Sequence, residues 1–128
     1  MNPTVVGVVV KILIVEDNED SRRLLALNFS REGYSVVAAE DGAEGLAKVL
    51  EEKPGVVVTG LQLRRVHGIE MIKQLRKRPE MKSLKIIVLT AHDGDHANAA
   101  REAGADIVLH KPLAFDSLND IVKRIAIK

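Results

Sequence analysis

Cysteine is absent from the chain. That excludes a disulfide framework, thiolate catalysis and cysteine-ligated zinc or iron–sulfur sites, and it fits a reducing, cytoplasmic setting. Aromatic residues are nearly as scarce, with Phe29, Tyr34 and Phe115 alone, so bases of single-stranded nucleic acid would find few rings to stack on. Neither sign of charge prevails: 19 Lys and Arg stand against 18 Asp and Glu for a net +1. No global field draws such a chain to nucleic acid or to an anionic membrane. Long apolar runs are missing as well. The opening Met-Asn-Pro-Thr-Val-Val-Gly-Val-Val-Val has no basic leader or small-residue cleavage site, and Lys11 interrupts it far short of a membrane span. Residues 1–10 read as an N-terminal extension or an early strand start, and 11–128 as a single domain, long enough to bury roughly two thirds of its unfolded surface.

What the chain does have is a regular alternation of short apolar runs and helical patterns. The run Val56 to Val58, unbroken and β-branched between Pro54 and Gly60, reads as a central strand buried on both faces. Similar runs occur at Ile12 to Val15, Tyr34 to Ala39, Ile86 to Leu89 and Asp106 to Leu109. Between them lie helical patterns. Ser21 to Arg31 carries Leu24, Leu25, Ala26, Leu27 and Phe29 on one wide face and ends at Gly33; a second helix starts after Asp41-Gly42 and stops before Pro54. A third places Ile69, Ile72 and Leu75 inward and Lys73, Arg76, Lys77 and Arg78 outward. A short alanine-rich helix ends near Gly104, and a last one runs from Phe115 to Ile125. Five strands alternating with five helices predict a parallel sheet covered on both sides by right-handed crossovers.

Open α/β sheets keep their chemistry at the carboxyl edge of the strands. In the order 2-1-3-4-5 that edge collects Glu16 and Asp17 after the first strand, Gly60 after the third, Thr90 after the fourth and Lys111 after the fifth. Two adjacent carboxylates suit a hydrated divalent cation such as Mg²⁺. On spacing alone the same acidic turn also reads as a solvated helix cap.

Over nearly its whole length the chain resembles the receiver domain of two-component response regulators, a flavodoxin-like fold. The resemblance rests on Ile14-Val15-Glu16-Asp17-Asn18, Lys53-Pro54, Gly68, Leu89-Thr90-Ala91, Gly104-Ala105-Asp106 and Lys111-Pro112. It implies that Glu16 and Asp17 are the metal-binding acidic pair, Thr90 the switch hydroxyl and Lys111 the lysine that contacts the phosphoryl group, with a cis bond before Pro112. It also implies a signalling module rather than an enzyme. Partners would be a sensor histidine kinase or an effector in trans, with a possible homodimer through the last two helices and the fifth strand, and no nucleic acid or membrane. No cofactor is required beyond weak Mg²⁺.

The departures from the family pattern gather in the central stretch. Gly60 stands where the family has the aspartate that accepts phosphate, and from Lys53 to Ile69 no acidic side chain remains. Phosphoryl transfer to a carboxylate needs that carboxylate as nucleophile. Gly55, His67, Arg64 and Val108 depart from the pattern too, Val108 where a switch aromatic is usual. A natural pseudo-receiver accounts for these together, whereas an introduced Asp→Gly change in a phosphorylation-competent regulator accounts for Gly60 alone. Arg64 or Arg65 would reach the rim of the site and weaken metal binding further.

Other readings are thinner. A flavodoxin-like small-ligand protein would offer glycines and helix amides after the first strand, where this chain has Glu16, Asp17, Glu19 and Asp20. No Gly-x-Ser-x-Gly nucleophile elbow occurs. His92 and His96, four apart, could ligate a metal, although Asp93 or Asp95 capping a helix explains the stretch as well. Lys73, Arg76, Lys77, Arg78, Lys82 and Lys85 form a basic cluster that reads first as a solvated helix face and otherwise as a contact for nucleic acid or an acidic partner.

Overall fold

The structure, a computed structural model, describes residues 4–5, 8–91 and 95–126. Lys11–Val15 (β1), Ser35–Ala39 (β2), Val56–Thr59 (β3), Lys85–Thr90 (β4) and Ile107–His110 (β5) form one parallel sheet in the order 2-1-3-4-5. Glu19–Arg31 (α1), Gly42–Glu52 (α2), Gly68–Arg76 (α3), Asp95–Ala103 (α4) and Phe115–Ala126 (α5) make the crossovers and the closing helix. This is the doubly wound architecture that the alternation of runs predicts. Ahead of it, Thr4–Val5 pairs antiparallel with Val8–Val9.

Side chains alternate across a strand, and the core divides accordingly. Leu13, Val15, Val57, Ile86 and Val88 face Val49, Met71, Ile72, Leu75 and Ala100 of α2, α3 and α4. Ile12, Ile14, Val56, Val58, Ile87 and Leu89 face Phe29, Leu118 and Val122 of α1 and α5. Each aliphatic side chain so enclosed is worth about 1.5–3 kcal/mol of transfer free energy, which is why this chain needs no cross-links. Phe29 meets Tyr34 and Phe115 edge to face at 5.6 and 4.8 Å. Burial, with Glu32 adding to it, pushes the Tyr34 phenol up to about 12.

Four local expectations are corrected. Helix α1 begins two residues early, at Glu19, because Asn18 caps it by accepting a 2.9 Å bond from the Ser21 amide. It does not turn all its apolar residues inward: Leu24 is 60% exposed and Leu27 48%. Successive residues step by 100°, so five apolar positions within one and a half turns cannot share one face.

Strand β5 starts at Ile107, one residue later than the apolar run predicts, because the Asp106 carboxylate accepts the Ile86 amide at 2.8 Å. Arg76, assigned to the outer face of α3, turns inward. Its guanidinium donates to the carbonyls of Gly104, Met81 and Leu84 at 2.9–3.0 Å and pairs with Asp106 at 2.9 Å. Gly104 has φ +123°, and a Cβ there would lie 2.5 Å from the Arg76 side chain.

Candidate functional site

The parallel register brings the strand ends together. The Gly60 amide donates to Val15 O at 3.0 Å and the Lys111 amide to Thr90 O at 2.8 Å. These bonds set the ends of β3 and β1, and of β4 and β5, side by side. The result is a cleft of about 250 Å³ lined by Glu16, Asp17, Gly60, Thr90 and Lys111, with Leu61, Gln62, Leu63, Leu89 and Ala91 completing it. All five residues picked from the sequence therefore meet in one place. Gln62 was not among them; its sole signal is its position in the loop that leaves the central strand.

The charges in the cleft are partly spoken for. Glu16 is buried, with Oε1 3.4 Å from Lys111 Nζ and Oε2 accepting the Asn18 amide at 2.8 Å. Arg22 of α1 donates to Glu16 O at 2.9 Å and so fixes the turn that carries the carboxylates. Asp17 is half-buried and Thr90 is buried.

Gly60 is not demanded by its backbone. Its φ lies outside the left-handed region, and a Cβ built on it would stand 3.6 Å from Glu16 Oε1 and 3.7 Å from Leu63, ordinary contacts. Gly68 is different: a Cβ there would lie 2.5 Å from Gly60 O, so this glycine lets α3 begin against the end of β3.

The loop over the cleft is fastened to α2. Arg65, at φ 66°, reaches away from the rim that the sequence reading gave it. It grips Asp41 with two bonds of 2.9 and 3.0 Å. Asp41 also caps α2, accepting the Glu44 amide at 2.8 Å, and the Gly42 amide donates to Arg64 O at 3.2 Å. A short polar residue before a helix is a legible cap; its long-range arginine partner is not legible. The Arg65 guanidinium, with the Glu44 and Ala43 amides, holds the Asp41 carboxyl below the usual carboxylate range despite its burial.

A lowered native value stabilises the fold fully above the unfolded carboxyl's value of roughly 3.9, and the contribution drains as pH falls through the native value. Asp41→Asn keeps a capping oxygen and removes the charge. It is expected to lower the urea midpoint at about pH 6, with the gap to the parent narrowing as pH falls below the unfolded carboxyl's value; a gap independent of pH would refute the ion pair's role.

His92 and Asp93 lie outside the described residues, so the spacing with His96 goes without a structural account; His96 itself is exposed on α4. His67 caps α3 through Nδ1, 3.2 Å from the Ile69 amide. Among the described residues no group of three His, Asp or Glu side chains is gathered. A divalent cation at the cleft would be held by Glu16 and Asp17, with water for most of its shell and no carboxylate from Gly60.

A family profile described as the response regulator receiver domain matches residues 12–123. The chain is 40% identical over 116 residues to the alkaline phosphatase synthesis transcriptional regulatory protein PhoP of Bacillus subtilis (strain 168), covering 90% of this chain and 48% of that protein. Against the response regulator MprA of Mycolicibacterium vanbaalenii it is 39% identical over 110 residues, 85% of this chain and 47% of the other. The chain thus spans about half the length of these regulators. Among solved structures, a response regulator from Chloroflexus aurantiacus J-10-fl superposes with a TM-score of 0.88 at 30% identity, covering 94% of this chain and 99% of that one. The chemotaxis response regulator CheY4 of Vibrio cholerae gives 0.85 at 26%, covering 91% and 98%.

Proposed function

Because this chain belongs to the response regulator receiver family, we propose that it serves a two-component phosphorelay by protein–protein contact, as a pseudo-receiver no longer charged on an aspartate. The observation that carries this reading is the bare backbone of Gly60 at the head of the cleft, beside Glu16 and within the same hollow as Thr90 and Lys111. A phosphoryl group needs an in-line nucleophile, and Gly60 has no side chain. Asp17, partly buried in the cleft lining, would serve a hydrated cation better than an acyl phosphate. Lys111, paired with Glu16, neutralises the acidic pair in the resting protein. Any Mg²⁺ here is weakly held.

Partners would meet the surface alongside. A hollow of about 570 Å³ runs from the cleft between α1 and the start of α5, lined by Leu24, Leu25, Pro112, Leu113 and Phe115. Leu24 and Leu113 are 60% and 36% exposed. A sensor kinase or an effector in trans, reading the cleft from a cytoplasmic location, would cover this apolar strip. The face of α4, β5 and α5 offers a second surface for a homodimer. We assign no nucleic-acid contact to this domain and no catalysis of its own. No helix among the described residues is long and apolar enough to cross a membrane.

A second reading has its own support: Gly60 tolerates a side chain without strain, and every other cleft residue is in place, as in a competent regulator carrying an Asp→Gly change. Incubating the chain with acetyl phosphate and Mg²⁺, followed by intact-mass measurement, tests the proposal. No adduct is expected; a stoichiometric, acid-stable and base-labile phosphoryl adduct would overturn it.

A further inference from the structure

At the opposite edge of the sheet, far from the cleft, the carboxyl-terminal halves of α2 and α3 leave an apolar furrow. Leu46, Leu50 and Leu75 floor a hollow of about 330 Å³ rimmed by Lys77 and Arg78. Past Leu50 a second hollow of about 510 Å³ continues over Pro54, Met81 and Leu84, with Lys53 at its rim. Leu50, 39% exposed, belongs to both, so the two make one furrow.

Its lining carries Lys53, Lys77 and Arg78 against Glu80, while Glu52 on the α2 side is paired with Lys11. Between Lys73 and Lys85 the sequence holds six cations and one acid, Glu80, in a chain whose total is +1. With Arg76 turned inward, Lys73, Lys77, Arg78 and Lys82 remain exposed, and Glu80 sits 4.0 Å from Arg78. Cations offset the dipole at helix C-termini. That accounts for Lys53 and Lys77 at the two C-caps, but not for Arg78, Lys82 or the leucine floor.

We infer that this furrow docks an acidic amphipathic helix of a partner protein, its apolar face on Leu46 and Leu50 above the buried Leu75 and its carboxylates against Lys53, Lys77 and Arg78. Helix-in-groove recognition reads apolar anchors at i, i+3 or i+4, and i+7, and complementary rim charge chiefly sets encounter and register. Nucleic acid fits less well: the floor is aliphatic, with no ring for a base to stack on. Sitting at the amino edge of the strands, the site stands whether or not the cleft is ever phosphorylated.

The test is nuclear magnetic resonance titration of the ¹⁵N-labelled chain. The probe is a synthetic helical peptide with leucines at every third or fourth position and glutamates between them. Amides of the second half of α2 and of residues 74–84 are expected to shift while those around Glu16 and Gly60 stay still. Affinity should fall roughly tenfold in Leu50→Gln, in the double variant Lys77→Glu/Arg78→Glu, and on raising salt from low to near-molar concentration. Shifts centred elsewhere, no shift at millimolar peptide, indifference to both variants, or a duplex oligonucleotide that outcompetes the peptide here would each overturn it. The Leu50 variant, at an exposed helical position, guards against a charge reversal that perturbs folding.

Discussion

Replacing Gly60 by aspartate is expected to let the chain accumulate a phosphoryl group from acetyl phosphate in the presence of Mg²⁺, where the parent is expected to take up none. The cleft already gathers the other groups such a reaction would draw on: the carboxylates of Glu16 and Asp17, which would hold the cation, the Thr90 hydroxyl and the Lys111 ammonium. The added Cβ meets nothing closer than 3.6 Å. The same variant carries a stability cost before metal is added. Its carboxylate would lie near Glu16 Oε1, and two unit charges about 4 Å apart repel by roughly 4 kcal/mol at an effective dielectric near 20. Lys111 and solvent screen much of this, leaving an expected loss of about 1–2 kcal/mol, or roughly 4–10 °C in melting temperature for a domain of this size. Mg²⁺ should return part of it. Thermal scans with and without Mg²⁺ beside the parent check both signs, and a metal-free variant more stable than its parent would contradict the electrostatic account.

Arg76→Met is expected to cost about 3 kcal/mol, a large share of a typical domain's roughly 5–15 kcal/mol. From the end of α3 the guanidinium satisfies three carbonyls and one carboxylate, drawn from the Pro79–Met81 turn, the β4 approach and the α4–β5 junction. Leaving such acceptors unpaired costs about 1–3 kcal/mol each where water cannot reach them; Arg76 is partly exposed, so water recovers some of that. Arg76→Lys should rescue little, because a single ammonium cannot serve the spread of acceptors that a planar fork serves. Urea unfolding with the slope held constant measures the difference. A loss below about 1 kcal/mol would mean that the network is decorative.

Much of this was legible in the chain, because period and punctuation carry secondary structure. The β-branched run before Gly60 and its counterparts at Ile12 and Ile86 defined the sheet, and turn residues placed the helices within a residue or two. The carboxyl edge followed from topology, since parallel strands bring their ends to one rim whatever the loops do. What stayed hidden depends on distance in space. Nothing local tells Arg76 from Lys73 or Lys77, although one is a structural hub and the others face water. Nothing near Asp41 announces Arg65, 24 positions away. Leu24 and Leu27 look like core by composition, yet α1 has room on its inner face for Leu25, Ala26 and Phe29 and not for all five. Gln62 entered the cleft without a motif to flag it.

One fastening has a reciprocal meaning. The strip Leu61 to Leu63 covers the cleft, and the same loop is tied to the first turn of α2 through Arg65 to Asp41 and Arg64 to Gly42. An occupant bulky enough to raise that strip has to stretch those ties, so its grip and the integrity of that turn are one equilibrium. By linkage, whatever frays the head of α2 alters affinity in the cleft by the factor with which occupancy frays the head of α2.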